Sequence, residues 1–368
     1  MCTIWNLLWD HCGVAYGMLF IGWALLVYHR QCCCIHTYYD HLMQLCLSRE
    51  NTKAVYLYCS GYEAAYKQKL RGKTDGCATF YKQAKFNCCN CIPVEFSVDG
   101  CSVLDRANVA LLMLLEPVVN SHDGRQARGG STRVCVANTH LLYNPRRGDV
   151  KLAQLMFLFA AIDEVAAISA QPCPDYVPVI LCGDLNLEPF SSLYDFIVSG
   201  IIHYEGLPIK AMSGQNYDDT GRRLTSQHFL PPSVDVTDYC QFFQVAEHRH
   251  SVSRCSRRWR SYEESFCSGV AHHALNLMSA YDDARPQALT SWLGDRSCGA
   301  RVDYIFYSAG QYNSAKFGHN RRMAEGLLTL SHVLQLPTEE QVCQSGGLPN
   351  NKQSSDHLML MAWFILNI

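Results

Sequence analysis

Residues 133–186 read RVCVANTHLLYNPRRGDVKLAQLMFLFAAIDEVAAISAQPCPDYVPVILCGDLN, and their pattern decides the fold class. Residues 133–138 and 179–182 are short apolar runs of the kind that forms buried strands. Between the two runs, Asp149 can cap a helix with one apolar face. The apolar residues that recur at helical spacing are Leu152, Leu155, Met156, Phe159, Ile162 and Ala166. This stretch therefore predicts a strand, an amphipathic helix and a second strand.

The same alternation continues on both sides of this stretch. Further strands are predicted over residues 76–82, 94–97, 108–115, 301–307 and 358–366, and a further helix over 191–198. The last strand is almost wholly apolar, so we expect it to be buried on both faces. Because helices lie between strands, the pattern predicts an α/β or α+β sandwich. Periodicity fades at about 214–297, which we interpret as an irregular insertion.

Composition narrows the class of protein. Of the 368 residues, 48% are hydrophobic and 17% are charged, which excludes disorder and coiled coil as the main state. Lysine and arginine total 31 against 33 acidic residues, so the net charge is −2 and any affinity for nucleic acid must lie in a local patch.

The 20 cysteines include neighbours such as Cys88 and Cys89, which are poor disulfide partners. A reducing cytoplasmic or nuclear location is therefore expected.

The front end differs from the rest of the chain. Residues 12–28 carry no Asp, Glu, Lys or Arg and are largely apolar. Two interpretations stay open: a membrane anchor that leaves the domain on the cytosolic side of an internal membrane, or a buried helix. We divide the chain into an atypical segment, 1–50, and one large domain, 51–368.

Four groups of polar residues adjoin the predicted buried strands. Asn138 and His140 follow the first, Asp184 and Asn186 follow the next, and the third group is a lone carboxylate, Asp303, inside the strand 301–307. The fourth is the Asp356-His357 pair just before the last strand. A buried carboxylate is costly unless it is paired, and a histidine would both pair with it and be oriented by it.

Hydrolysis of a phosphate ester needs residues of these types. A divalent cation with oxygen ligands offsets the developing negative charge, and a carboxylate activates water. A histidine donates to the phosphoryl oxygen and an amide holds the substrate. Asp184, His357, His140 and Asn186 are the candidates for these roles.

Several segments resemble the Angel proteins, relatives of the Ccr4-type deadenylases in the endonuclease/exonuclease/phosphatase superfamily. The segments that carry the resemblance are VANTHLLYNPRRGDVKL at 136–152, ILCGDLN at 180–186, VDYIFYSA at 302–309 and SSDHL at 354–358. Shorter matches are KTDGCA at 73–78, YEGLPI at 204–209 and SGQ at 213–215. The resemblance runs from about residue 61 to the C-terminus and is weakest over 214–297.

The resemblance implies a four-layer sandwich, with two packed mixed sheets flanked by helices, and a role for each matching residue. Asp184 would activate water, Asn186 would hold the substrate and His140 would contact the scissile phosphate. Asp303 would pair with His357, and Asp356 would lie at a Mg²⁺ or Mn²⁺ ion. The residues that would bind RNA are Asn138, Arg146, Arg147 and Lys151. The implied partners are RNA and proteins of translation or RNA processing.

The chain also departs from the family, whose first strands carry Ser-Tyr-Asn and Leu-Gln-Glu motifs, the glutamate being the main Mg²⁺ ligand. Placing Asp40-His41 on the family pattern puts His36 at the glutamate position, and no Gln-Glu pair occurs upstream of it. The strands of that region are therefore expected to be missing or replaced. Two functions stay open: an RNA phosphoester hydrolase, either a 3′ exonuclease of deadenylase type or a 2′,3′-cyclic phosphatase, and a catalytically impaired relative that binds RNA or protein.

Overall fold

A computed structural model describes most of the chain after residue 60. The described residues are 18–20, 25–27, 61–118, 133–169, 175–216, 218–227, 229–252, 266–281, 289–293, 298–308, 327–351, 353 and 355–366. His36 and most of the 1–50 segment lie outside these ranges.

The described residues form sixteen strands and four α-helices. The strands are β1 Met18–Phe20, β2 Leu25–Val27, β3 Tyr62–Gln68, β4 Gly76–Lys82, β5 Phe86–Ser97, β6 Asp105–Pro117, β7 Val134–His140, β8 Val179–Asp184, β9 Ile201–His203, β10 Val270–His272, β11 Leu277–Ser279, β12 Ser291–Leu293, β13 Cys298–Ala300, β14 Asp303–Ser308, β15 Leu328–Val333 and β16 Ala362–Leu366. The helices are α1 Gly148–Ala166, α2 Ser192–Ser199, α3 Phe243–Val252 and α4 Glu339–Gln344.

A six-stranded mixed sheet forms the centre of the molecule. Its strand order is β11-β14-β8-β7-β6-β5. The neighbours β7 and β8 are parallel, and the other pairs in the sheet are antiparallel. Parallel neighbours need a crossover connection, which α1 supplies between β7 and β8. The strand, helix and strand predicted from residues 133–186 are thus confirmed.

The two faces of the central sheet pack against different layers. On one face, alternate residues such as Leu112 and Leu181 join a core with α1 and α2, where Phe159 and Phe196 are fully buried. On the other face, residues such as Ile180 join a second core with β4, β15 and β16. Both faces are therefore covered, and the predicted α/β sandwich is confirmed. Within the described residues the stacking order is helices, central sheet and second strand layer.

The second strand layer consists of two three-stranded sheets, ordered β1-β16-β15 and β2-β4-β3. Their described pairings are antiparallel. The apolar run 12–28 contributes β1 and β2, so the helix expected there is wrong at residues 18–20 and 25–27. A short apolar run suits either a helix or a strand, and pairing with β16 and β4 satisfies the strand backbone. None of the described helices is long and apolar enough to cross a membrane.

Three local expectations need correction. Burial alternates along β16, so only one of its faces lies fully in the core. Arg147 is the residue at the cap position of α1, and its side chain accepts no hydrogen bond from the helix backbone; Asp149 lies in the first turn instead. The region 214–297 is irregular over much of its described part, but it contributes α3 and also β11, which completes one edge of the central sheet.

Candidate active site

Three candidate residues lie side by side across the central sheet. The strand register pairs His140 of β7 with Asp184 of β8, and Asp184 with Asp303 of β14. Side chains directly opposite each other on neighbouring strands lie on the same face of the sheet. Here it is the face that packs on the second strand layer, because Ile180 and Ile305 of the same strands belong to that core. We call His140, Asp184 and Asp303 the sheet half of the site.

The second part of the site comes from the loop before β16, and we call Asp356 and His357 the loop half. His357 Nδ1 lies 2.8 Å from Asp303 Oδ2, and this contact joins the two halves. His357 Nε2 lies 3.3 Å from Ser291 Oγ. The loop backbone is anchored to 290–292, because Trp292 N–H donates to the Asp356 carbonyl at 2.8 Å. The predicted Asp303–His357 pair is therefore present in the structure.

The two halves together have the chemistry of a cation site. Ligand atoms of Asp184, Asp303 and His357 all lie within 4.8 Å of one another. Asp356 Oδ1 is buried and has no hydrogen-bond partner among the described residues. Carboxylate oxygens are the ligands that Mg²⁺ and Mn²⁺ prefer, and an unpaired buried carboxylate oxygen is costly unless a cation satisfies it. The carboxylates of Asp184 and Asp303 therefore fit a hard divalent cation, and the unpartnered oxygen of Asp356 is a further candidate ligand.

Burial and neighbouring charges shift the protonation of this cluster. Burial is the main cause that raises the pKa of the Asp184 carboxyl, and the Asp303 carboxylate adds to the effect. For His357, burial opposes the charged form, but the Asp303 carboxylate and its hydrogen bond outweigh it, with help from Asp184 and Asp356. The pKa of His357 therefore rises to about 10, and its imidazole is cationic at neutral pH.

Asn186 is held in place by the loop that follows β8. Its backbone N–H donates to Asp184 Oδ1 at 2.9 Å, and its Nδ2 donates to the Leu141 carbonyl at 3.2 Å. Its φ of 50° lies in the left-handed region, which asparagine tolerates better than most residues. The turn thus brings Asn186 back beside the water-activating candidate Asp184.

Lys151 was predicted to bind RNA, but it lies in the interior. It is fully buried, and its Nζ donates to the Asn186 carbonyl at 2.5 Å and to Gln215 Oε1 at 2.7 Å. Burial lowers the pKa of this ammonium to about 7, against the pull of Asp184 and Glu188. In this structure Lys151 therefore ties α1 to the loops around 186 and 215, and a phosphate on the surface would not reach it.

The other three residues expected to bind RNA differ in accessibility. Asn138 is fully buried; its Nδ2 donates to the Ala78 carbonyl at 2.8 Å, and its Oδ1 has no partner among the described residues. Arg147 makes a two-bond ion pair with Asp149, with both distances 2.9 Å. Arg146 is exposed. Only the two arginines can therefore meet a phosphate without rearrangement.

Three residues beside the site were not among the sequence candidates. Lys69 Nζ lies 2.5 Å from Asp75 Oδ2 and 3.1 Å from His140 Nδ1. Asp75 immediately precedes β4. Asp356 was a candidate because it is a polar residue just before a predicted strand, and the same pattern could have identified Asp75. Ser291 was also missed, because it lies in the region where no periodicity marks the strands.

The chain is similar to the Angel proteins along most of its length. It is 36% identical over 316 residues to protein angel homolog 2 of Danio rerio, covering 83% of this chain and 52% of the relative. It is 37% identical over 320 residues to the Homo sapiens protein, covering 84% of this chain and 56% of the relative. The chain thus spans about half the length of these curated relatives. No family model matches it.

A solved structure supports the same relationship. The crystal structure of ANGEL2, a 2′,3′-cyclic phosphatase, in complex with adenosine-2′,3′-vanadate is 36% identical to this chain, with a TM-score of 0.66. The similarity covers 86% of this chain and 78% of that one. This chain belongs to the Angel family.

Proposed function

We propose that this chain is a divalent-metal-dependent hydrolase that opens 2′,3′-cyclic phosphates at RNA ends. The observation that carries the proposal is the convergence of Asp184, Asp303 and His357 within 4.8 Å, beside His140. The cyclic phosphate is favoured over a poly(A) tail because ANGEL2, the solved relative, is a 2′,3′-cyclic phosphatase.

Each residue of the two halves has a part in this reaction. Asp184 accepts a proton from the attacking water. The water oxygen then forms the new bond to phosphorus while one ester P–O bond of the ring breaks, and the released ribose oxygen takes up a proton from solvent to become a hydroxyl. His140 and the cationic His357 donate to phosphoryl oxygens, and Asn186 orients the substrate. Asp303 keeps His357 charged and oriented.

Asp184, Asp303 and Asp356 are the residues that would hold Mg²⁺ or Mn²⁺. A divalent ion bound there supplies electrostatic stabilisation of the negative charge that develops on phosphate. Asp356 supports this assignment, since its Oδ1 is buried with no hydrogen-bond partner among the described residues.

The test is an oligoribonucleotide that ends in a 2′,3′-cyclic phosphate, incubated with the protein and Mg²⁺, beside a poly(A) substrate with a free 3′ hydroxyl. We expect ring opening, no shortening of poly(A), and a loss of about 10²- to 10⁴-fold in Asp184→Ala, because the base is removed. Glu164→Gln, on the exposed face of α1, is the matched control and keeps full activity.

Two results would contradict the proposal. Equal activity of Asp184→Ala and the parent would show that the site is elsewhere. Shortening of poly(A) with an intact cyclic end would assign the chain to the exonuclease type instead.

The missing Leu-Gln-Glu glutamate favours a second candidate, an impaired relative that binds RNA without turnover. Titration with Mg²⁺ separates the two candidates. The first predicts saturable binding and turnover, and the second predicts retention of the oligonucleotide with no hydrolysis at any Mg²⁺ concentration.

A further inference from the structure

We propose that Lys69, held by Asp75, is a positioning residue that sets which ring nitrogen of His140 carries the proton. Lys69 would keep the proton on Nε2, the nitrogen that faces Asp184. The effect of Lys69 on catalysis rests on the proposed function, in which His140 donates to phosphate. The assignment of the His140 tautomer does not rest on that function.

The geometry places a charged lysine against one nitrogen of the ring. Lys69 Nζ lies 2.5 Å from Asp75 Oδ2, and the side chains of this ion pair are only 10% and 12% exposed. The same Nζ lies 3.1 Å from His140 Nδ1. On the other edge of the ring, His140 Nε2 lies 3.5 Å from Asp184 Oδ2.

Donor and acceptor chemistry then fixes the tautomer. An ammonium group has three donors and no acceptor, so the nitrogen that faces it must offer a lone pair. Lys69 Nζ donates one hydrogen bond to Asp75 Oδ2 at 2.5 Å, and it is a donor toward the ring as well. His140 Nδ1 is therefore the acceptor, and the ring proton lies on Nε2, which can donate to an oxygen in the site.

The backbone holds this arrangement from two sides. Lys69 follows β3 and Asp75 precedes β4, and the Lys69 N–H donates to the Asp75 carbonyl at 2.9 Å, which closes the turn between them. On the other side, Asn108 Nδ2 donates to the His140 carbonyl at 2.9 Å. Both partners of the Lys69–His140 contact are thus fixed before any substrate binds.

The direct test is the tautomer of His140, read from the nitrogen chemical shifts of the ¹⁵N-labelled full chain, with His140→Gln used to assign the signal. In the parent we expect a non-protonated Nδ1 and a protonated Nε2. In Lys69→Met, which keeps the length of the side chain but donates nothing, we expect Nδ1 protonation to appear. Lys69→Arg, again a donor without an acceptor, should restore the parent pattern.

Kinetics on the cyclic-phosphate oligonucleotide give a second readout. Lys69→Met should lower kcat by about 10- to 100-fold, the range typical of residues that orient a functional histidine, with little change in KM. Lys67→Met is the matched control: Lys67 lies two residues earlier and pairs with the exposed Glu95, so its loss should leave kcat and the His140 tautomer unchanged.

The outcomes separate this inference from the proposed function. A parent spectrum with the ring proton of His140 on Nδ1 overturns the inference. This measurement uses only the parent chain, so it does not depend on a variant that could misfold. A His140 signal that is the same in Lys69→Met and the parent overturns it too. The protein could show the expected tautomer and yet hydrolyse neither substrate. That result would support the role of Lys69 and contradict only the proposed function.

Discussion

The sheet half and the loop half of the site are held in different ways. His140, Asp184 and Asp303 lie in register on three neighbouring strands of the central sheet, and His140 and Asp184 are almost fully buried. Asp356 and His357 lie on a loop whose backbone is anchored to 290–292, and the join to the sheet half is the His357–Asp303 contact.

This difference indicates which half needs a ligand. In the sheet half, the candidate side chains contact protein groups: His140 has Lys69 and Asp184, and Asp184 has the Asn186 N–H. In the loop half, Asp356 leaves a buried oxygen without a partner among the described residues. The sheet half is therefore held by protein contacts, whereas the loop half keeps one buried carboxylate oxygen that the proposed cation would satisfy.

Removing the join between the halves should have the largest effect. Asp303→Asn keeps the size of the side chain but no longer stabilises the cationic imidazole, so the pKa of His357 falls. We expect kcat on the cyclic-phosphate substrate to drop by about 100-fold or more.

The matched control breaks an ion pair at the surface instead. Asp105→Asn removes the exposed partner of Arg71 and should cost at most about 1 kcal/mol of stability, with kcat unchanged. If Asp303→Asn were as active as Asp105→Asn, the contact between the halves would have no catalytic role.

Changing the loop half alone should act mainly through the cation. Asp356→Asn preserves shape but removes the charge of the unpaired oxygen, so Mg²⁺ affinity should fall by about 10- to 100-fold. The measurement is the rise in Tm with added Mg²⁺, since a ligand that binds only the folded state raises Tm. Asp99→Asn, an exposed acid in the turn after β5, should keep the parent response. An unchanged Mg²⁺ response in Asp356→Asn would remove this residue from the cation site.

The effect that is smallest at neutral pH concerns Lys151, which supports the sheet half from behind. The pKa of Lys151 is lowered to about 7 in the folded chain, while an unfolded lysine titrates near 10.4. Unfolding therefore takes up a proton between about pH 7 and 10, so the free energy of unfolding rises with pH across that window. The contribution is at most about 1.4 kcal/mol per pH unit.

Lys151→Met lacks this titration, so the parent should gain stability relative to it as the pH rises from 7 to 9.5. Denaturant unfolding at several pH values measures the difference, with Lys67→Met as the control. Equal pH slopes for Lys151→Met and the parent would contradict the lowered pKa.

How far the sequence predicts the molecule also differs between regions. The strands that carry His140, Asp184 and Asp303 were predictable because each is a short apolar run that ends in, or contains, a polar residue. Their mutual register was not, because pairing between distant segments leaves no local pattern. The burial of Lys151 was not predictable for the same reason: its partners include Gln215, 64 residues away.

The second strand layer was harder to predict than the central sheet. It joins β1 and β2, near the start of the chain, to β16 and β4. A strand of three apolar residues looks like part of a helix in the sequence, and only the partner strand identifies it. Ser291 and Trp292 were missed because their strand, β12, is equally short and lies in a region without periodicity.

A double-mutant cycle tests most directly whether the two halves form one active site. The cycle compares kcat/KM on the cyclic-phosphate oligonucleotide with Mg²⁺ for the parent, Asp184→Asn, His357→Gln and the double variant. If both residues serve one reaction, each single change lowers kcat/KM by about 100-fold or more, and the double variant falls no more than about 10-fold below the worse single. A parent without activity, or a double-variant loss equal to the product of the two single losses, would contradict the account.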